Sequence, residues 1–572
     1  MRKVSTLSKA PFPQPDVVTK GIPVPTDGWD AITPLADMDP KRAPILDNWV
    51  PRPGWVELRQ GFGAYVQGLP GGGPVETLMV LRQPQPVGIP AQRMFAATDQ
   101  RIFEVSNPGQ QVPVVSGLTS NRWQYTNFTP PGGATVIQCV NGSDQLHQFD
   151  WNVWTTPTIT GFPNGWNTSN IINIYAAKQR LWYVMANSTI VAFMPVGAIQ
   201  GAIAGYQDFG TLFSRGGTMV AVFDWTIDGG EGPNSYTGFI SSEGQVALYQ
   251  GVDPTNTSLW SFVGVFDLSP PIGSRCVTKI GSDVALITYQ GLLQVSQALP
   301  YDPSADRSAA LSARIQNAMN LAVQNAKSAF GWQFLTYPLQ QLGIMNVPLI
   351  ENVQQVQFVI NMLTGAWCRF TNWNACCFEL YEQQLYFGDT KGNVNIAYVG
   401  GADLVTAIPA DMQCAFNWFD DPGRVKTMKM VQPLMTADGQ IAPSIAFDAD
   451  FSNTAPSQTA QAINPGASWD NAVWDHDVWG GALVQVTNWL SAQGIGHALA
   501  MRLGTNVVPT GPGANSVFDS AQFDISVFDG VGTTPITLQI NAANAIMELG
   551  GLITLFGFAI LSALDAGKGL IC

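Results

Sequence analysis

One unit recurs along this sequence as far as residue 398: an apolar or aromatic stretch, a polar turn rich in Gly, Asn or Asp, and a second alternating stretch. It first occurs as Met94-Phe95-Ala96-Ala97-Thr98, turning through Asp99-Gln100 into Arg101-Ile102-Phe103-Glu104-Val105. Further copies lie at 136–140 and 145–149, 181–185 and 189–193, 238–242 and 245–249, 284–288 and 292–295, and 384–388 and 393–398. Alternation of period two on both sides of a tight turn buries one face of each strand and describes a β-hairpin. The turns of the first five copies are roughly 43 to 57 residues apart, close to the length of a four-stranded propeller blade. Another strand-rich stretch, 342–347 and 356–361, fills the gap before the last copy. The pattern predicts an all-β chain built on a β-propeller of six or seven blades.

Composition agrees. With 46% hydrophobic and 12% charged residues the chain has enough apolar surface for a large core, and its 57 Gly and 39 Pro suit many short strands joined by tight turns. The net charge of −14 opposes a surface that grips nucleic acid, because phosphate binding needs clustered Lys or Arg. An acidic wall also lets a passing duplex slide without sticking, and charge alone does not separate a conduit from an ordinary acidic protein.

Around the repeats, residues 1–45 are rich in Pro and Asp and read as an extended N-terminal arm ordered against a neighbour, or as a frayed terminus. The propeller is expected over 46–402, interrupted by a helix at 304–330 whose Leu311, Ile315, Met319 and Val323 recur every four residues after Asp302-Pro303-Ser304. Residues 403–545 form an additional β-rich domain, a platform or tip, holding Trp469, Trp474 and Trp479 in an aromatic-stacked turn, with Trp489 following. The tail, 546–572, carries sixteen uncharged residues from Leu549 to Leu564, short of a membrane span. A buried strand or helix is the favoured reading; membrane contact and a plug or subunit contact are the alternatives. The N-terminus lacks the apolar core of a secretory signal, and seven cysteines without C-x-x-C spacing read as reduced core residues.

Chemistry is sparse. The three histidines, His147, His476 and His497, have no catalytic context: His147 alternates within a strand, and Asp475-His476-Asp477 would point neighbouring ligands to opposite faces of an extended chain. Gly494-Ile495-Gly496-His497 lacks the Lys-Ser/Thr of a phosphate loop, and Gly229-Gly230-Glu231-Gly232-Pro233-Asn234 reads as a turn. No paired carboxylates stand out for glycoside hydrolysis, and the 27 Lys and Arg are scattered. The residues assign no catalytic, cofactor or metal site, no cofactor, and no enzyme activity.

Two stretches carry a family likeness. The first is Phe239-Ile240-Ser241-Ser242-Glu243-Gly244-Gln245-Val246-Ala247-Leu248-Tyr249-Gln250-Gly251-Val252-Asp253-Pro254, continuing to Trp260 and Pro271-Ile272-Gly273-Ser274-Arg275-Cys276. The second comprises Phe330-Gly331-Trp332-Gln333, Asn346-Val347-Pro348 and Thr364-Gly365-Ala366-Trp367-Cys368-Arg369-Phe370-Thr371. With Leu385-Tyr386-Phe387-Gly388, the spaced tryptophans and Leu46-Asp47-Asn48-Trp49-Val50-Pro51, the chain resembles the tail nozzle, or head-to-tail genome-stabilisation, proteins of short-tailed bacteriophages (podoviruses) over residues 30 to 550. The resemblance implies a structural virion protein of the phage tail, made in the host cytoplasm. It would form a homo-oligomer, a hexameric ring below the portal and the head-to-tail adaptor protein, meeting tail fibre, spike or needle proteins. Such a ring retains packaged genomic DNA and passes it through a lumen during ejection. The rival readings are a glycan-binding or glycan-cleaving propeller at a virion or cell surface, and a bacterial structural propeller unrelated to phage.

Overall fold

The hairpins legible in the sequence are the second and third strands of larger sheets. In a computed structural model of the chain, the described residues are 18–84, 91–228, 233–298, 310–437, 443–453, 484–486, 490–506, 518–529 and 536–537. They divide into two compact units, residues 60–406 with 30–32, and residues 1–29, 33–59 and 407–572.

The first unit is a seven-bladed β-propeller. Blade one runs Thr77–Gln83, Ala91–Thr98, Arg101–Glu104 and Val112–Ser116, each strand antiparallel to the one before. Blade two starts at Gln124–Phe128, blade three at Ile171–Ala177 and blade four at Met219–Asp228, each with three more strands in sequence order. Blade five has three strands from Val277–Ile280, blade six four from Gln333–Tyr337, and blade seven starts at Ala375–Tyr381. The stretch at 342–347 and 356–361 supplies the middle of blade six, which makes the number seven. Consecutive blades touch all the way round, and the innermost strand of blade seven lies against that of blade one.

Closure comes from the N-terminal side. The fourth strand of blade seven is Phe62–Val66, paired with Val394–Ala397 in the register Val66↔Val394 and Phe62↔Ala397. Val66 is fully buried in a cluster with Leu78, Met94, Tyr386 and Val394 that joins blade seven to blade one. Gly61 lets this strand dock, since a Cβ there would stand 1.8 Å from the Ala402 carbonyl oxygen. Between other blades the filling is aromatic. Trp182 of blade three, fully buried, meets Phe239 and Trp260 of blade four with ring centroids 5.5 and 5.8 Å apart, and Phe95 of blade one meets Phe149 and Trp154 of blade two at 5.0 Å. Such pairs add about 0.5–1.5 kcal/mol each beyond the area they bury.

The helix expected at 304–330 is shorter. A 3-10 turn at Ala313–Ile315 leads into an α-helix at Gln316–Ala326; Leu311 precedes it, and the capping residues 302–304 lie outside the described residues. Ile315, Met319 and Val323 are buried as their spacing requires, against strands of blades five and six. The helix follows the position where blade five would carry a fourth strand, which is reduced to the single bridge Leu293↔Ala310.

The second unit is assembled from both sides of the propeller in sequence. Ile45–Asp47 pairs with Pro409–Gln413, which pairs with Leu499–Asn506, which pairs with Pro443–Ala449. Lys426–Ala437 pairs with Leu490–Gly496 and Phe518–Asp529, and Phe518–Asp529 with Val18–Gly21. Residues 46–59, which the pattern assigns to the propeller, belong here, as do 21–29 of the supposed arm, where Ile22 and Val24 are buried. The hairpin of Trp49–Arg52 and Trp55–Leu58 turns at Gly54 and encloses the ion pair Arg52–Glu57 at 2.6 Å, which also receives the Trp55 indole N–H. Asn48 Nδ2 donates to Pro409 O across 361 residues of sequence. The residues around Trp469, Trp474, Trp479 and Trp489 and the apolar tail lie outside the described residues. Among the described residues no helix is long and apolar enough to cross a membrane.

Two stability predictions follow from these contacts. Glu57→Ala removes the carboxylate that compensates buried Arg52 and is expected to cost about 3–5 kcal/mol in chemical denaturation. Val66→Asp places a charge in the closing cluster and is expected to cost a similar ~3–5 kcal/mol and to expose the strand to protease, whereas Ala64→Lys on its exposed side stays within about 0.5 kcal/mol.

Candidate functional site: the axial tunnel

The innermost strands of all seven blades face the propeller axis, where their side chains leave two linked cavities of about 230 and 500 Å³. The narrower is lined from Thr77 in blade one through Tyr125, Asn173, Ala221, Arg275 and Gln333 to Glu379 in blade seven. The wider continues past Thr278, Gln333 and Glu379 to Arg82 and Gln383.

Hydrogen bonds brace this axis between blades, including blades that are not neighbours. Gln124 Nε2 of blade two donates to Ser274 Oγ at the start of blade five (3.0 Å), and Asn173 Nδ2 of blade three donates to the Ser274 carbonyl (3.2 Å). Thr278 Oγ1 donates to Phe334 O at 2.7 Å, and Gln333 exchanges two bonds with the Phe378 backbone. Glu379 accepts from Arg82 of blade one at 2.7 Å and from the Tyr125 hydroxyl of blade two at 2.6 Å. A carboxylate serving two donors from two other blades fixes all three strands.

Arg275 lines the narrower cavity, with Arg122 nearby. Arg275 donates Nη1–H to Glu76 O (3.1 Å) and Nη2–H to Thr77 Oγ1 (2.7 Å) and Trp123 O (3.1 Å). Arg122 pairs with Glu76 at 3.0 Å and with Glu351, and the two guanidiniums lie 4.5 and 4.8 Å from the Phe330 ring centre. Glu351 accepts from the Phe330 backbone N–H at 2.9 Å. Both guanidiniums approach one aromatic ring, and the Glu76 and Glu351 carboxylates hold Arg122 beside it.

Burial acts to lower Arg82, but the Glu379 carboxylate outweighs it and the net shift is upward. The Tyr125 phenol is pushed well above its ordinary value, by burial first and by Glu379 second. Arg275 is held below the ordinary arginine value by burial, with Cys377, Glu76, Tyr125 and Glu379 pulling the other way; a guanidinium remains charged regardless. The Cys377 thiol, which donates to Val75 O, is pushed up to about 12 by burial. Tyr125 and Cys377 therefore stay protonated at neutral pH.

The histidines lie elsewhere. His147 sits in blade two opposite Cys139, its ring 5.6 Å from Trp123, and burial holds it below the ordinary histidine value against the pull of Asp144. His497 follows a strand, its N–H donating to Asp450 Oδ1, and Gly494 of the same motif is a packing device whose Cβ would meet Phe447 at 2.5 Å. His476 and residues 229–232 lie outside the described residues. Among the described residues no cluster of His, Cys, Asp or Glu is arranged to hold a metal. The six described cysteines are free and buried. Sequence reasoning did not single out Arg275, Arg82, Tyr125 or Glu379 as site residues; for Arg82 and Glu379, a single charge in an otherwise apolar inner strand was the available signal.

No known family model and no curated protein matches the sequence. Solved structures with a similar course include Raptor of Chaetomium thermophilum, 8% identical with a TM-score of 0.35, covering 59% of this chain but only 29% of that one. Two putative 6-phosphogluconolactonases also match. The one from Bacteroides uniformis is 11% identical (TM-score 0.31; 59% of this chain, 92% of that one), and the one from Bacteroides fragilis is 10% identical (TM-score 0.28; 55% and 87%). At such identities and scores no activity is carried to this chain, and its fold rests on its own strand order.

The buried thiols yield a pH prediction. Cys276 and Cys377 are pushed up to about 12, whereas an exposed thiol ionises near 9.0. Between these values the unfolded chain releases protons that the folded chain keeps, so this contribution to stability is complete below about pH 9 and lost as pH rises towards 12. Denaturation midpoints should fall over that window, and in a Cys572→Ser variant a thiol reagent should react only as the chain unfolds.

Proposed function

We propose that the chain is a structural subunit of a short-tailed phage tail, of the nozzle kind, and not an enzyme. What supports this reading most is the resemblance carried by 239–276, 330–371 and 385–388, stretches that fall on blades four to seven and their connections. The axial tunnel is consistent with a mechanical role: bonds between blades two and five, three and five, and two and seven make the propeller a braced block.

In this reading DNA does not travel along the propeller axis, because cavities of about 230 and 500 Å³ crossed by hydrogen bonds leave no room for a duplex whose major groove alone is about 12 Å wide. The lumen lies between subunits of a hexameric ring docked on an adaptor, each propeller serving as one rigid wall segment. The net charge of −14 then disfavours adhesion of the passing phosphate backbone.

Purified chain is expected to sediment as a monomer or weak oligomer and to form rings when mixed with a portal–adaptor complex, as seen by electron microscopy. Failure to associate with such a complex, or glycosidase turnover by the isolated chain on host polysaccharide, would overturn the reading.

A further inference from the structure

The charges along the tunnel are not equivalent. Arg82 is matched by Glu379, and Arg122 by Glu76 and Glu351. Arg275 is different: its three acceptors, two backbone carbonyls and the Thr77 hydroxyl, are all neutral. They engage one Nη1–H and both Nη2–H, leaving Nε–H and the second Nη1–H without a protein acceptor. Arg275 is half-buried and lines the narrower cavity.

We propose that the tunnel holds a small oxyanion, a phosphate or a carboxylate, seated on Arg275. A half-buried guanidinium whose hydrogen-bond acceptors are all neutral carries charge that a bound anion complements, and its unengaged Nε–H offers a charge-assisted donor to one oxygen of an acid group. The cavity of about 230 Å³ accommodates such a group, given that a water occupies about 30 Å³. Ser274 offers a further donor, because its Oγ accepts from Gln124 and retains its own proton. The carboxylate in the lining, Glu379, is engaged by Arg82 and Tyr125 and makes no hydrogen bond to Arg275. The approach is the wider cavity, where Arg82 is partly exposed. This inference stands apart from the proposed assembly and holds for the isolated chain.

The test is titration of the purified full-length chain with inorganic phosphate and, separately, acetate, at ionic strength balanced with chloride, read by calorimetry and thermal shift. Saturable one-to-one binding of either is expected; preference for phosphate assigns a tetrahedral guest and preference for acetate a carboxylate. Arg275→Gln should weaken binding at least tenfold, and Arg101→Gln on the propeller exterior should leave it unchanged. Equal binding by Arg275→Gln, or no saturable binding by the native chain, overturns the proposal. Should Arg275→Gln not fold, a bromide soak of native crystals decides: an anomalous peak within hydrogen-bonding distance of Arg275 Nε is expected, and peaks confined to the exterior overturn it.

Discussion

The propeller depends on one short strand. Six blades are made from consecutive sequence, but a ring made that way would end on an open sheet edge, which invites pairing with other chains. Phe62–Val66 supplies the fourth strand of blade seven, with its far side held by Leu404 N–H donating to Phe62 O. The buried cluster around Val66, shared by blades one and seven, is the apolar counterpart of that closure.

The same topology explains what was legible in the sequence. Second and third strands, such as Arg180–Met185 and Ile190–Phe193, are buried throughout and read as strong apolar runs around a polar turn. Outer strands such as Gly205–Asp208 are short and half exposed, and inner strands carry polar tunnel residues, so neither stands out by periodicity. The architecture and blade length could thus be read while the boundaries could not. Leu46-Asp47-Asn48-Trp49 looks like any strand of the propeller, and its partner strand Pro409–Gln413 is identifiable only in three dimensions. The helix was overextended because Leu311 continues the spacing of Ile315 and Met319 although the backbone there is a turn.

The tunnel was the least legible part. Its residues come from all seven blades, with polar groups from every blade except the fourth, and no local motif marks that convergence. A scaffold of this kind gains rigidity from groups that resemble an active site in composition. Glu379 has the carboxylate, phenol and guanidinium neighbours of an acid–base centre, yet both donors are occupied in holding blades together.

The interrupted second unit has a consequence in time. Asp47 pairs with Asp411 and Asn48 bonds to Pro409, so the segment 33–59 is made long before the strands it needs. At about 5–20 residues per second, a ribosome takes on the order of 20–70 s to traverse the 361 residues between Asn48 and Pro409. During that interval the propeller can complete itself, since Phe62–Val66 is already available, while the Trp49–Leu58 hairpin leaves its apolar face waiting. In the cell, that interval is when this chain would most need a chaperone.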